Sequence, residues 1–218
     1  MKNKTLKKLC SAVIASCLLL SLSGCGNKEN TGNGDSQDGG SQAQEQTAAV
    51  NAVNDEIRDI SSAELVKEIK VGWSLGNTLD STGGSGVDSE TSWGNIVTTK
   101  EMITAVKDAG FNIIRIPTTW GIHMDENNKV DEAWMNRVQE VVDYAYSQDM
   151  FVILNIHHEE WHDPYYDNEA AATERLKALW TQIGTRFSGY GEKLIFEGLN
   201  EPRKRNTALE WNGGDAEG

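Results

Sequence analysis

Four short apolar runs, at residues 71–75, 111–117, 151–156 and 193–199, alternate with amphipathic stretches along this chain. The runs are rich in β-branched residues and nearly continuous in hydrophobicity, the pattern of strands covered on both faces. Between them the apolar residues recur at helical spacing. Ser61-Ser62-Ala63-Glu64 forms a capping box before a predicted helix at 63–69, and Thr98-Thr99-Lys100-Glu101 forms a second. The second helix carries Met102, Ile103, Val106 and Ala109 and stops at Gly110. Asp131 is placed to cap a third, with Trp134, Val138, Val141, Val142 and Ala145 on one face. A fourth covers 169–187, with Leu176, Leu179, Trp180 and Ile183 as its stripe; Trp134 and Trp180 are both expected in the core.

Repeated strand–helix alternation predicts an α/β fold with a parallel sheet. A doubly wound sheet and a (β/α)8 barrel both satisfy it. The polar residues favour the barrel. Each run ends in groups capable of chemistry: Asn77, then Arg115, then His157 and His158, then Asn200 and Glu201. Barrel enzymes gather their sites from the C-terminal ends of several strands. No Gly-x-Gly-x-x-Gly turn follows the first run, which argues against dinucleotide binding.

The N-terminus has another character. Lys2, Lys4, Lys7 and Lys8 precede an apolar stretch too short and too interrupted to span a bilayer. It ends Leu22-Ser23-Gly24-Cys25, which resembles a bacterial lipobox, so residues 1–25 are expected to be a lipoprotein signal with Cys25 as the lipidated residue. Residues 26–49 form a Gly-, Ser- and Gln-rich linker, leaving 50–218 as the folded domain. All three cysteines lie in the signal, so the domain has no thiol for a disulfide, a metal site or a nucleophile. The formal charge of −13 argues against nucleic acid as a partner.

Glu201 is the first candidate for chemistry, because a strand-end carboxylate in a partly apolar cleft can act as a proton donor. The alternative is a carboxylate that caps a following helix. His158-Glu159-Glu160-Trp161-His162 fits the His-Glu-x-x-His pattern of zinc proteases. That chemistry needs a helix to bring both imidazoles to one ion. This segment follows a strand directly and runs into Asp163-Pro164, so it is expected to be a strand-to-loop turn with no metal.

Five motifs then occur in order: Trp73-Ser74-Leu75-Gly76-Asn77-Thr78-Leu79-Asp80, Glu90-Thr91-Ser92-Trp93-Gly94-Asn95, Gly110-Phe111-Asn112-Ile113-Ile114-Arg115-Ile116-Pro117, Asn155-Ile156-His157-His158-Glu159 and Phe196-Glu197-Gly198-Leu199-Asn200-Glu201-Pro202. Together they resemble the N-terminal half of a glycoside hydrolase family 5 catalytic domain, in its branch of bacterial endoglucanases and xyloglucanases. The resemblance implies a (β/α)8 TIM barrel of which this chain holds the first four strands. It implies Glu201 as acid/base, Asn200 as the group that binds the sugar 2-hydroxyl, and Arg115 as the arginine that holds the nucleophile. His157 matches the histidine at the end of the third strand, and His158, Asn77, Trp73, Trp120 and His123 match positions near the sugar cleft. Residue chemistry leaves another role for Arg115, an internal ion pair with Glu197.

A retaining glycosidase needs two carboxylates about 5–5.5 Å apart. The family's nucleophile ends the seventh strand, and no residue of this chain matches it. The implied parent is an exported or lipid-anchored retaining endo-β-1,4-glucanase. It would be a monomer when full length, need no cofactor, and act on cellulose-like β-glucan, with xyloglucan, lichenan, mannan or xylan as alternative substrates. Since a complete barrel takes about 250 residues, the alternative for this chain alone is a non-catalytic half-barrel that at most binds sugar weakly.

Overall fold

The computed structural model describes residues 55–211. The expected signal, its lipidated Cys25 and the linker lie outside the described residues. Four strands, β1 (Gly72–Ser74), β2 (Ile113–Ile116), β3 (Phe151–Asn155) and β4 (Leu194–Glu197), form one parallel sheet in the order β1-β2-β3-β4. Four helices connect or precede them: α1 (Ser62–Glu68), α2 (Lys100–Asp108), α3 (Glu132–Tyr146) and α4 (Glu169–Arg186). Strands that pair in chain order with a helix in each crossover form one arc of a barrel wall.

Local sequence explains the boundaries. Ser61 caps α1 with the reciprocal Glu64 bond of a capping box. Asp131 caps α3 through Trp134 N–H at 3.0 Å. The α2 cap is one residue later than expected: Thr99, not Thr98, accepts from Met102 N–H. Thr98 is drawn away because its N–H donates to the buried Glu90 carboxylate at 2.7 Å. Glu90 in turn takes Nε of Arg137 on α3 at 2.8 Å, so a paired internal charge fixes the loop before α2.

Register divides the sheet into two chemically distinct faces, since residues paired across parallel strands project to the same side. Ile114, Val152 and Leu194 share one face. Ile114 and Val152 are fully buried in the core with Trp134, Val138, Val142, Leu179 and Ile183 of the helices. On the other face lie Arg115, Ile153, Asn155, Ile195 and Glu197. That face is polar towards the C-terminal end of the strands, which is where the candidate chemistry collects. Trp180, expected in the core, packs against it from the margin. It is half-buried, edge-on to Phe196, with its indole N–H directed to Gly198 O at 3.3 Å.

Candidate active site

One hydrogen-bonded network joins the lips of β2, β3 and β4. Arg115 Nε donates to Glu197 Oε2 at 2.7 Å, and its Nη2 donates to Glu197 Oε1 at 2.5 Å and to Asn200 Oδ1 at 2.8 Å. The guanidinium fork suits a carboxylate bound by two parallel bonds. It holds the Glu197 carboxyl below its ordinary value. With Asn200 Oδ1 occupied, the amide nitrogen is left as a donor beside Glu201. The ion pair with Glu197 is therefore the established contact of Arg115.

Asn155, at the end of β3, extends the network. Its Nδ2 donates to Glu197 Oε1 at 3.0 Å and lies 3.0 Å from His157 Nδ1, while its Oδ1 accepts from Thr118 N–H at 3.1 Å. His157 is half-buried, and its pKa is pushed down to about 4, first by burial and then by His158 and Arg115. The ring is therefore neutral at neutral pH. Next to it, His158 is exposed and packs edge-on against His157 at 4.4 Å and tilted against Trp93 at 5.4 Å. His158 Nε2 lies 3.9 Å from Asp80 Oδ2. Asp80 is buried, with its other oxygen accepting from Thr78 N–H at 2.8 Å.

Glu201 follows Asn200 on an exposed turn and takes a left-handed φ of 45°. Asn77, at the β1 end, has φ 61° and is also exposed. Such backbone is uncommon outside glycine, and it gathers at sites where a side chain must be aimed. Asn77 is tied to its neighbour through Asn95, whose Nδ2 donates to Asn77 O at 2.8 Å.

Three residues expected near a sugar cleft lie elsewhere. Trp120 is fully buried and spends its indole N–H on Asn155 O at 2.9 Å, so its ring is closed to a ligand. His123 is buried too, stacked 3.7 Å from Trp134, with Nε2 3.1 Å from Ser89 Oγ. Trp120 holds the loop after β2 against the end of β3, and His123 holds it against α3. Trp73 pairs in register with Ile114, which puts it on the helix-side face, opposite Arg115 and Glu197. Strand alternation fixes this placement, and motif resemblance alone does not carry it.

The His-Glu-x-x-His segment is a loop, as its strand-to-turn context predicts. Glu159 faces inward and accepts from Trp120 N–H at 2.6 Å, Gly121 N–H at 2.9 Å and Trp161 Nε1–H at 2.6 Å. His162 is buried away from His158, with neither ring nitrogen hydrogen-bonded. Among the described residues, the ligand-type atoms that do gather, within 4.8 Å of one another, belong to Asp80, His157 and His158.

Two positions were not singled out by motif reasoning: Asn155, read only as the first letter of its motif, and Asp80. The available signal was period-2 counting. Asn155 and His157 fall two apart across a strand end, so the amide and the imidazole can share a side.

An open lip of parallel strands that presents an arginine-held amide, a half-buried histidine and a strand-end glutamate is the C-terminal edge of an α/β-barrel arc. The family model for cellulase, glycosyl hydrolase family 5, matches residues 77–216, and the chain belongs to that family. Endoglucanase A of Ruminococcus albus is 54% identical over 166 residues, covering 75% of this chain and 46% of that protein. Endoglucanase A of Clostridium longisporum is 54% identical over 164 residues, covering 72% and 32%. Among solved structures, a GH5-4 broad specificity endoglucanase from Clostridium longisporum superposes with TM-score 0.71 at 52% identity, over 74% of this chain and 48% of that one. One from Ruminococcus champanellensis with bound cellotriose gives 0.71 at 48% identity, over 74% and 49%. The chain thus spans about half the length of the relatives it matches, or less.

Proposed function

We propose that this chain carries the acid/base half of a retaining endo-β-1,4-glucanase site. Glu201 protonates the glycosidic oxygen as the leaving sugar departs and then activates water against the glycosyl-enzyme. Asn200 Nδ2–H donates to the sugar 2-hydroxyl, a contact that strengthens as the ring gains oxocarbenium character. His157 and His158 bind neighbouring hydroxyls, with Asn77 and Trp93 at the rim. The observation that carries this reading is the Arg115–Asn200 bond, which orients an amide donor directly beside Glu201. The nucleophile comes from sequence that relatives possess and this chain does not match. The substrate is a β-glucan. The endoglucanase names of its relatives, and the cellotriose bound to the Ruminococcus champanellensis endoglucanase, support that choice over mannan or xylan.

The test uses the gene extended to the length of the relatives. Glu201→Gln abolishes hydrolysis of unactivated β-glucan while the protein keeps its folded circular dichroism spectrum; near-normal turnover would sink the role given to Glu201.

A second reading applies to the 218-residue chain by itself, and the half-length match favours it. No residue of this sequence matches the family's nucleophile, so the activity proposed for these residues by themselves is weak oligosaccharide binding. Export and lipid anchoring at Cys25 belong to the same proposal and rest on the N-terminal sequence alone. Fatty-acid labelling of the expressed protein, lost in Cys25→Ser, checks them.

A further inference from the structure

The partner of His157 Nδ1 cannot be turned round. Asn155 Oδ1 meets the backbone N–H of Thr118, which can only donate. Asn155 Nδ2 meets Glu197 Oε1, and Glu197 is kept ionised by Arg115, so it can only accept. Two neighbours of fixed role therefore set the amide orientation, and the usual oxygen–nitrogen ambiguity of an asparagine does not arise. The second N–H of the same amide points at His157 Nδ1, 3.0 Å away. A nitrogen that faces a donor must offer its lone pair. The single proton of the neutral ring then sits on Nε2, which makes no hydrogen bond among the described residues and is not sealed from solvent.

We propose that Asn155 is a positioning residue that fixes His157 in the Nε2–H tautomer, so that the ring presents a donor to a substrate hydroxyl. The substrate part of this inference rests on the glucanase reading; the tautomer does not. The same hydrogen bond decides what the Asp80, His157 and His158 cluster is suited to. A metal would need the Nε2 lone pair of His157, which requires the proton on Nδ1. There it would confront the Asn155 N–H. The arrangement instead leaves the cluster as a set of hydrogen-bonding groups: a donor on His157, and a carboxylate oxygen of Asp80 within 3.9 Å of His158 Nε2.

The chain has four histidines, so its ring nitrogens are resolvable by 15N NMR of histidine- and asparagine-labelled protein, with His157 assigned by its loss in His157→Gln. The expected result has Nδ1 unprotonated, Nε2 protonated, and a scalar coupling between Asn155 Nδ2 and His157 Nδ1 across the hydrogen bond. A protonated Nδ1, or no coupling, overturns the inference whatever the protein hydrolyses. Asn155→Asp replaces the donor with an acceptor and should move the proton to Nδ1; an unchanged tautomer in a folded Asn155→Asp protein also overturns it. In the chain extended to the length of its relatives, Asn155→Asp should lower kcat/KM on β-glucan by about 10-fold, the order expected for one lost hydrogen bond to substrate. Undiminished kcat/KM in that variant would overturn the substrate part and leave the tautomer result standing.

Discussion

Arg115 and Glu197 pair through two bonds across a strand that belongs to neither. Arg115 sits on β2 beside Ile153, Glu197 sits on β4 beside Asn155, and the guanidinium passes over β3 to reach the carboxylate at 2.7 and 2.5 Å. The pair ties three strands together at the end where the site forms, and Nη2, which already donates to Glu197, uses its second N–H to hold Asn200.

The pair is partly open to solvent, with side chains 28% and 31% exposed, so its net worth is less than that of a fully buried one. Removing one partner is nevertheless costly, because the other charge and the Asn155 amide lose their acceptor or donor. Glu197→Ala is expected to destabilise by about 2 kcal/mol in urea unfolding. The double variant with Arg115→Ala should be less destabilised than the sum of the two, by about 1–2 kcal/mol. Additivity to within about 0.5 kcal/mol would show that the pair is not coupled.

Stability should fall in mild acid, and His123 should account for much of it. Burial lowers its pKa from 6.5 to about 4. A base whose folded value is depressed resists protonation in the folded state. Its penalty is absent above pH 6.5, grows as pH falls from 6.5, and is complete at about 4. The shift corresponds to about 3 kcal/mol. His157 adds in the same direction over the same window. Glu197, whose carboxyl is lowered by Arg115, contributes stability that is present above 4.5 and lost below it, so it extends the loss further into acid. Melting temperatures measured from pH 7 to 4 should decline steadily, and His123→Phe, which keeps the stack on Trp134, should flatten the upper part of the curve. An unchanged slope in that variant would remove His123 from the account.

The elements were readable because each strand is a continuous apolar run stopped by a polar or proline residue, and each helix carries a cap or a stripe. Asp131, Trp134, Val138 and Val142 behave as that pattern predicts. What escaped was direction. Trp73 and Arg115 both belong to strand motifs, yet only register shows that they face opposite ways. Trp120 and His123 belong to a loop, where no periodicity reports burial, and it is the Asn155 carbonyl and the Trp134 ring that draw them inward. Thr98 lost the α2 cap to Thr99 because a distant ion pair, Glu90 with Arg137, claims its backbone. Networks that join residues 35 to 47 positions apart leave no local trace. Asn155 could not be assigned its role until Glu197 and Thr118 were seen on either side of it.

Glu159 should matter for folding more than its place in a His-Glu-x-x-His string suggests. Burial pushes its carboxyl upward against the downward pull of three N–H donors. Those donors, from Trp120, Gly121 and Trp161, join the loops that follow β2 and β3, and Arg175 of α4 adds a bond to Gly121 O at 3.1 Å. His158 precedes Glu159 and is anchored by its own N–H to Thr119 Oγ1, so the orientation of both histidines depends on this junction. Glu159→Ala strands three donors and should destabilise by about 3 kcal/mol, whereas Glu159→Gln keeps an oxygen acceptor and should lose about half as much. Gly121→Ala tests the same junction from the other side. A Cβ there would lie 2.3 Å from Glu159 Oε2 and 2.9 Å from Trp161 Nε1, so the carboxylate must leave its place. Urea unfolding of the three variants should rank them, with Gly121→Ala close to Glu159→Ala and the two combined no worse than either alone. A fully additive double variant would mean that the glycine and the glutamate act through separate contacts.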